Sequence, residues 1–446
     1  MNMEVLDERE FYSYLQQKNQ EIFLKWIDCY ERYIAPIMRT KGYKRINEAE
    51  RTVVFSFGEI RFSRSRWKKG EETRIPVDEK LGLIPYVRYS QEVLYQLTDL
   101  SRKLPYRKVV EVVELLNQVY VTKDSVQKAV NIAGDLLEEK EEYRFLSFPE
   151  KRGKIKTDTL YIEGDGLWVK QSQAGQEGKS TELAHFVAHT GSVAVTGKRR
   201  KLENKVEIVS NSYKKAKEQL LDTLYNQFEI TSDTVIVTNS DGGHGYSPEV
   251  FKDLASAFRP KIHYHFWDAF HVNELIKKTF RPFPAALTDL AFDAVAKHDK
   301  KKMILALDTA ESLIEDPEKL DAFHRVKNQF LNNFKYTVSP KNKGIVDFGI
   351  GIMESQHRKI SYRMKNQGMY WSVRGAEKMS QIIILGQEGR LRDLFFGGWR
   401  TEYEKIKALD NVSAKRYLSS SKKQYNLKNH KPIPRKAKKS EGLSLF

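Results

Sequence analysis

The sequence predicts an α/β protein in which a mixed sheet is accompanied by long, mainly helical regions. Five short apolar runs between Thr159 and Phe266 alternate with two helical patterns, the succession expected of a sheet covered by helices. Residues 268–340 show helical periodicity and no strand signal. The first 50 residues space aromatic and aliphatic side chains three or four apart, as amphipathic helices do.

The composition indicates a basic protein with a sizeable core. Of the 446 residues 40% are hydrophobic, which argues against a disordered chain. The net charge of +17 favours a polyanionic partner, either nucleic acid or an acidic membrane surface. The single cysteine, Cys29, excludes a disulfide framework and a Cys-rich zinc module. An acidic, polar N-terminus is no signal peptide, and no apolar run suits a membrane span. We therefore expect a soluble, intracellular protein.

After the N-terminal helical region, Arg51–Trp67 is predicted to form strands. Val53, Phe55 and Phe57 alternate before a glycine. The arginines that follow, namely Arg61, Arg64 and Arg66, suit a surface that contacts a nucleic acid backbone. A half-buried hairpin with a solvated basic face explains the same pattern.

Two short amphipathic helices are predicted between Tyr106 and Gly134, with Thr122 as the N-cap of the second. Apolar stripes are formed by Val109, Val112, Val113 and Leu116 in the first helix and by Val126, Ala129, Val130 and Ala133 in the second. The second helix then directs outward Lys123, Gln127, Lys128 and Asn131, which are side chains that can reach phosphates and base edges. A DNA-binding helix-turn-helix and an ordinary helical hairpin both fit. A charged linker is expected over Leu137–Thr157.

The central region is predicted to alternate strands and helices. The strand candidates are LYIEGDGLWVK, ELAHFVAHTG, KVEIVS, TVIVTNS and KIHYHF, and the helices are Tyr213–Phe228 and Pro248–Phe258. A further helical block is expected from about Gly351 to Gln387. The segment Lys415–Lys439 has ten Lys or Arg and no acid, which is typical of a disordered basic tail.

Three acids stand out by position. Asp165 lies between glycines inside an apolar strand, where a carboxylate is costly unless it is solvated, paired or bound to metal. Asp241 follows a strand at its carboxyl end, where ligands collect in α/β sheets. Glu354 lies on a helix, with Arg358 and Lys365 on the same face. Each acid also has an ordinary explanation: a turn residue at Asp165 or Asp241, and a Glu354–Arg358 pair.

Taken together, these acids fit a cation site. One acid on the first strand, one at the tip of a later strand and one on a distant helix can converge on two hard cations, which prefer oxygen ligands. Two Mg²⁺ ions about 3.5–4 Å apart activate the attacking oxygen and stabilise the leaving oxygen in phosphoryl transfer. We expect Mg²⁺ as the cofactor, with Mn²⁺ able to substitute.

The order of these blocks resembles a known family. The chain is similar to the ISLre-type bacterial insertion-sequence transposases, which are DDE enzymes related to the Mutator-like group. The similarity lies in four successive blocks: EGDG followed by Trp168, then TNSDGG, then a helical stretch, and then MESQHRKISYRMKNQGMYWSVRGAEKM. The resemblance runs from about Arg51 to Arg400. It implies an RNase H-like catalytic domain with Asp165, Asp241 and Glu354 as the triad. It also implies an all-helical insertion domain that fills the 113 positions between Asp241 and Glu354.

The resulting domain prediction divides the chain into six parts. They are an N-terminal helical and basic strand region (1–105), a helix-turn-helix-like segment and linker (106–150), the first part of the catalytic domain (151–266), the helical insertion (267–344), the second catalytic part (345–400) and the basic tail (401–446).

The resemblance also assigns supporting residues. Asp268 and His271 match an Asp-x-x-His element near the active site of such relatives, although a helix-capping aspartate and a half-buried histidine would look the same. Trp371 matches a family position, where it would stack on an unpaired base or simply pack. The other histidine pairs, His185 with His189 and His263 with His265, have no third ligand at metal-site spacing. His244, beside Asp241, is the one histidine placed for chemistry.

The sequence thus predicts a transposase that binds the terminal inverted repeats of its element, cuts DNA at their ends and joins the freed 3′-hydroxyls to target DNA. Arg358 and Lys365 would neutralise phosphates beside the triad, and synapsis of two ends implies at least a dimer on DNA. The expected location is the bacterial cytoplasm, at the nucleoid. A DNA-binding regulator that has lost the chemistry, and a nuclease without strand transfer that uses the same carboxylates or His244, remain alternatives.

Overall fold

The computed structural model describes residues 7–147, 153–172, 178–197, 199–243, 245–345 and 349–409. His244 and the basic tail Lys415–Lys439 lie outside these ranges, so the roles predicted for them stay predictions. Among the described residues, no helix combines the length and the apolar character needed to cross a membrane.

A long helix packed on a three-stranded antiparallel sheet forms the N-terminal region. Helix α1 (Glu8–Thr40) begins after Asp7, whose carboxylate accepts hydrogen bonds from two backbone N–H groups of the first turn. The strands β1 (Lys44–Phe55), β2 (Gly58–Lys69) and β3 (Glu72–Arg74) and the short helix α2 (Pro76–Lys80) follow. Their shared core contains Ile27, Val53, Phe55, Ile60, Phe62, Val77 and Leu83.

The predicted N-terminal helix ends at Thr40 rather than near residue 50. Residues 44–50 instead form the first half of β1, paired with residues 63–68 of β2. This half-strand is mostly exposed and polar. It therefore has no apolar alternation, and its conformation comes from pairing with β2.

Three helices follow: α3 (Gln91–Ser101), α4 (Tyr106–Asn117) and α5 (Lys123–Leu146). Thr122 caps α5 as predicted, because its hydroxyl accepts the N–H of Ser125 at 3.2 Å. The predicted stripe of α5 is buried throughout. Leu116 of α4 is exposed, contrary to prediction; it lies in the last turn of the helix, where its carbonyl accepts a hydrogen bond from the Tyr12 hydroxyl of α1. The predicted linker is also wrong over residues 137–146, where α5 continues.

A five-stranded mixed sheet forms the centre of the molecule, in the order β12–β11–β5–β6–β9. Its strands are β5 (Thr159–Lys170), β6 (Ser180–His189), β9 (Val206–Ser210), β11 (Val235–Ser240) and β12 (Ile262–Trp267). Strands β11 and β12 run parallel to β5, whereas β6 is antiparallel to β5 and to β9. Helices α6 (Tyr213–Gln227) and α7 (Pro248–Ser256) cover one face. The predicted α/β succession is therefore confirmed.

Two small strand pairs were not predicted. The strands β4 (Ile155–Lys156) and β10 (Phe228–Glu229) are parallel, and β7 (Gly191–Thr196) with β8 (Arg199–Glu203) forms an exposed antiparallel hairpin. The hairpin is short and has little apolar alternation, so it gave no clear signal in the sequence.

The region between β12 and the C-terminal helices is helical, as predicted. Its helices are α8 (Ala269–Phe280), α9 (Ala285–Ala296), α10 (Lys300–Glu311) and α11 (Pro317–Asn333). They enclose an apolar core of their own, to which Phe280, Met303, Leu307 and Phe330 contribute.

Three further helices lie in the last described part of the chain: α12 (Met353–Met364), α13 (Val373–Gln387) and α14 (Leu391–Phe396). Helix α13 packs on the central sheet through Gln381, whose side chain donates to the Val209 carbonyl at 3.0 Å. Its Lys378 binds Asp135 of α5 at 2.6 Å. The helices α3–α5, the sheet and the C-terminal helices consequently share one apolar core.

Candidate active site

A pocket at one edge of the central sheet collects acidic side chains from four elements. Asp165 comes from β5, Asp241 follows β11, Asp268 follows β12 and Glu354 lies in the first turn of α12. Because β11 and β12 are parallel to β5, their carboxyl ends reach the level of Asp165. The fold thus brings together the three acids predicted from the sequence, although 113 positions separate the last two.

Strand β5 presents Asp165 where it pairs with β6. The preceding Gly164 is opposite Phe186, and a Cβ on Gly164 would lie 2.6 Å from that ring. The Gly166 N–H donates to Asp165 Oδ1 at 2.7 Å. Burial, followed by the charge of Asp241, raises the pKa of Asp165 to about 6. A cation would relieve this accumulation of negative charge.

A tight turn holds Asp241. Gly242 adopts a φ of +74°, which lets the chain turn directly after β11. The Gly243 N–H donates to Asp241 Oδ1 at 2.8 Å. The indole N–H of Trp267 donates to the Asp241 carbonyl at 2.8 Å and so ties the turn to β12.

Asp268 is both a helix cap and a member of the pocket. Its Oδ1 accepts the backbone N–H groups of Phe270 and His271, and its Oδ2 accepts the Asn239 amide at 3.0 Å. His271 is exposed and lines the same pocket. The capping explanation for Asp268 is therefore correct, and the pair predicted from the resemblance still faces the acids.

Glu163 is a residue of the site that sequence reasoning missed. It is buried on β5, and its Oε2 accepts the Asn239 amide at 3.2 Å and the Ile352 N–H at 3.1 Å. It thereby joins β5, β11 and the start of α12. Burial raises the pKa of Glu163 to about 8, although both hydrogen bonds favour the charged form. The two-residue spacing from Asp165, which places both on one face of the strand, was the available signal.

A buried polar chain leads away from Asp165. His357 of α12 has Nδ1 at 3.6 Å from Asp165 Oδ2, and its ring stacks on His185 with centroids 5.0 Å apart. His185 Nε2 lies 3.1 Å from Glu207 Oε1. Burial opposes ionisation of Glu207, but the His185 hydrogen bond and the charges of His185, Lys205 and Lys359 lower its pKa to about 2. The sequence showed His185 but not these partners.

The other histidines have structural partners. His189 stacks on Tyr161, with centroids 5.0 Å apart, and bonds the backbone at Gly191. His263 and His265 each lie 2.8 Å from the Thr238 hydroxyl. Across the described residues, no group of three His, Cys, Asp or Glu side chains is arranged as a metal site. The acids of the pocket share one space but do not form a closed ligand set.

The predicted DNA-contacting residues differ in exposure. The α5 side chains Lys123, Gln127, Lys128 and Asn131 are all exposed, as are Arg61, Arg66, Arg358 and Lys365. Arg61 is paired with Glu50 across the β1–β2 ladder. No ion pair joins Glu354 to Arg358 within the described ranges, and neither Arg358 nor Lys365 lines the pocket.

Burial corrects the role predicted for Arg64 and favours packing, one of the two explanations offered, for Trp371. Arg64 binds Asp78 at 3.0 Å and the Ala49 carbonyl at 2.8 Å, so it holds the N-terminal region together instead of facing a ligand. Trp371 is buried, donates its indole N–H to the Met364 carbonyl at 3.1 Å and packs against Arg363. Its position is that of a core residue rather than of a platform for an unpaired base.

The sequence of this chain matches a known protein family. The sequence model of UPF0236, described as an uncharacterised protein family, matches residues 1–395. A relative from Streptococcus gallolyticus, named UPF0236 protein in vanSb 3′ region, is 30% identical over 361 residues, which is 80% of this chain and 76% of that protein. The chain therefore belongs to the UPF0236 family.

Solved structures give distant similarities. A Drosophila P element transposase strand transfer complex is 8% identical with a TM-score of 0.24, covering 71% of this chain and 84% of that chain. A Mos1 transposase paired-end complex is 13% identical with a TM-score of 0.15, covering 57% and 79% respectively. TM-scores this low do not define a common fold.

Proposed function

We propose that this UPF0236 protein is a DNA transposase that cuts DNA at the terminal inverted repeats of a mobile element and joins the freed ends to target DNA. The observation that carries the proposal is the convergence of Asp165, Asp241 and Glu354 on one pocket. Three separated segments place an acid there in a chain whose net charge is +17. Acidic pockets in basic proteins suit a metal-dependent reaction on a polyanion.

The architecture supports the assignment of an RNase H-like catalytic domain to this chain. The five-stranded mixed sheet, with four α-helices in the described residues between β12 and α12, is the arrangement expected of an RNase H-like domain that carries a helical insertion. The ISLre-type resemblance of the sequence supports the same assignment. The architecture and the resemblance both depend on the order of the acidic segments along the chain, and the fold places these segments around one pocket.

The carboxylates of the pocket are the ligand type that divalent cations prefer, and a cation would have to draw them together, because among the described residues they do not form a closed ligand set. Asp165, Asp241 and Glu354 would hold it, and bound Mg²⁺ would supply the Lewis acid that phosphoryl transfer requires. The Gly166 and Gly243 N–H groups orient the first two carboxylates. Asn239 orients Asp268 and Glu163 behind them. These hydrogen bonds preorganise the acidic side of the site.

The reaction would be two in-line displacements at phosphorus. In the first, water attacks the phosphodiester at the end of the element, and the 3′-oxygen leaves as a hydroxyl. In the second, that hydroxyl attacks a target phosphodiester, and a new 3′-hydroxyl leaves. The exposed face of α5 and Arg66 are the surfaces proposed to bind the duplex, so affinity should fall steeply with salt.

The test is cleavage of a labelled duplex that carries the terminal repeat of the element, with Mg²⁺ and with a chelator. We expect the wild type to cut at the repeat end only when Mg²⁺ is present, and Asp241→Asn to bind the duplex without cutting. Asp289→Asn, which changes an exposed carboxylate on α9, serves as the matched control and should cut normally.

The outcomes separate the alternatives. Cleavage without joined products would identify a nuclease. Tight, salt-sensitive binding without cleavage by the wild type would identify a regulator, and the acids would then be an inherited scaffold. Equal cleavage by the wild type and Asp241→Asn would contradict the proposed site.

A further inference from the structure

The outward face of α1 carries a stripe of exposed apolar side chains. We define the α1 stripe as Phe11, Leu15, Ile22, Trp26, Cys29 and Tyr33, all of which are exposed. Ile22 and Tyr33 each retain 65% of their accessible surface and Phe11 retains 48%. Contiguous exposed apolar surface of this kind marks an interaction site.

The spacing makes the stripe straight. Phe11, Ile22 and Tyr33 are eleven residues apart, and so are Leu15 and Trp26. An eleven-residue repeat corresponds to about 3.67 residues per turn, close to the natural period of an α-helix. The stripe therefore stays on one side of the helix over about 33 Å, at 1.5 Å per residue.

Within the described part of the chain, the ring contacts of the stripe stay on α1 itself: Phe11 stacks on Tyr14, and Trp26 stacks on Phe23 and Tyr30. The opposite side of α1 buries Ile27 and Met38 and packs Phe23 against the aromatic side chains of β1 and the following turn. Near the first turns of α1, Leu115 and Leu116 of α4 are exposed as well. Helix α1 is thus apolar on two faces, and among the described residues only one of these faces packs against the N-terminal sheet.

The charge of α1 indicates which kind of partner the stripe binds. Residues Glu8–Thr40 contain five acids and five bases, so α1 is neutral within a chain of net charge +17. A surface for DNA or for anionic lipid would be basic. A neutral surface lets a second copy of a strongly basic protein approach without local repulsion.

We propose that the α1 stripe is the dimerisation surface of this protein, occupied by the same stripe of a second copy. A two-fold dimer places one patch against itself, which a straight stripe on a single helix permits. Aromatic side chains bury roughly 150–250 Å² each. Because these side chains are only about half exposed, the six of them supply roughly 300–500 Å², and the polar residues that flank the stripe must supply the rest of the ~800 Å² per partner of a stable interface. Dimerisation does not depend on the catalytic proposal.

The test is the oligomeric state of the full chain, without DNA, by sedimentation velocity over a wide concentration range in high salt. We expect a wild-type dimer and a dissociation constant raised at least about thirty-fold by Ile22→Glu, since hot-spot losses exceed about 2 kcal/mol. Leu305→Glu changes an exposed leucine on α10 and should leave the dimer intact. Helical circular dichroism shows whether each variant is folded.

Cross-linking gives a second measurement that does not require Ile22→Glu to fold. Ile22 is the midpoint of the stripe, so it faces its own copy in either orientation of the two helices. A Cys29→Ser, Ile22→Cys double variant should be captured as a covalent dimer by a short bismaleimide. Wild-type Cys29 should be captured only if the helices are parallel.

Several results would overturn the proposal. A monomeric wild type at every concentration, or an Ile22→Glu protein that dimerises as the wild type does, would exclude the stripe. Equal loss of the dimer in Leu305→Glu would show that any added charge has this effect. A protein that stays monomeric and pellets with anionic vesicles through Ile22 would assign the stripe to membranes instead.

Discussion

Asp165 has a carboxylate that the fold holds at an energetic cost. Its pKa is raised to about 6 by burial and by Asp241, although the Gly166 N–H favours the charged form. Because its pKa is raised, protonated Asp165 stabilises the folded protein relative to the unfolded chain. This contribution is complete below pH 3.8, the pKa of the unfolded chain, and is lost as pH rises through about 6. At neutral pH the metal-free protein therefore carries a negative charge on Asp165. This charge lowers the stability of the folded protein and favours the binding of a cation.

This sign gives a prediction for Asp165→Asn. In a chelating buffer at pH 8, we expect the variant to be more stable than the wild type by up to about 3 kcal/mol, because the pKa of Asp165 rises from 3.8 to about 6 and a difference of one in pKa corresponds to about 1.4 kcal/mol. The difference should shrink as pH falls toward 4, and Mg²⁺-dependent cleavage should be lost at every pH. Chemical denaturation at several pH values measures it, and a variant less stable than the wild type at pH 8 would be the contrary result.

Glu163 is expected to act as a neutral acceptor rather than as a ligand. Because its pKa is about 8, it holds a proton at pH 7 and accepts the N–H groups of Asn239 and Ile352. Glu163→Gln keeps a carbonyl acceptor and should retain both folding and DNA cleavage. Glu163→Leu leaves two buried donors without an acceptor and should lower stability by roughly 1–3 kcal/mol. Denaturation and cleavage assays on both variants check this, and loss of cleavage in a stable Glu163→Gln protein would make Glu163 catalytic.

At the scale of elements, the contact between β5 and β6 makes a glycine necessary. A Cβ at Gly164 would lie 2.6 Å from the Phe186 ring, which is fully buried. At Gly166 the nearest atom is the Glu182 carboxylate, at the end of a flexible side chain. We expect Gly164→Ala to cost about 1–3 kcal/mol and Gly166→Ala markedly less. Equal unfolding midpoints for the two variants would refute this packing argument.

The basic residues of two elements should behave differently. Lys128 is exposed on α5, so Lys128→Ala should leave stability unchanged and reduce the salt slope of DNA binding by about one phosphate contact. Arg64 is held by Asp78 and the Ala49 carbonyl, so Arg64→Ala should destabilise the N-terminal region instead. Binding isotherms at several salt concentrations, with melting curves, distinguish the two. An unchanged slope for Lys128→Ala would remove that part of α5 from the DNA surface.

These contrasts show what the sequence determines at this scale. Apolar periodicity predicted the first half of α5, up to about Gly134, and the five central strands, because burial sets that period. It failed for residues 44–50, where strand pairing acts without apolar alternation. The sequence pattern also could not distinguish Arg64 from the exposed Arg61 and Arg66. The burial of Arg64 depends on Asp78, which lies fourteen positions away.

At the scale of the whole molecule, the sequence predicted three acids that the fold brings to one pocket, but not the residues that support them. Asp165, Asp241 and Glu354 could be chosen from their positions beside glycines, at a strand end and on a helix. Asn239, Glu163 and His357 act through contacts between distant segments, as in the bond from the Ile352 N–H to Glu163. Such contacts have no local signature, and only the assembled sheet and α12 reveal them.

The most direct test of the central claim, that three distant acids form one cation site, is Mn²⁺ binding measured by electron paramagnetic resonance. We expect the wild type to bind Mn²⁺ in competition with Mg²⁺. Asp165→Asn, Asp241→Asn and Glu354→Gln should each weaken binding at least about tenfold, which corresponds to about 1.4 kcal/mol, while Asp289→Asn binds as the wild type does. Wild-type affinity in all three pocket variants, or a wild type that binds no Mn²⁺, would contradict it.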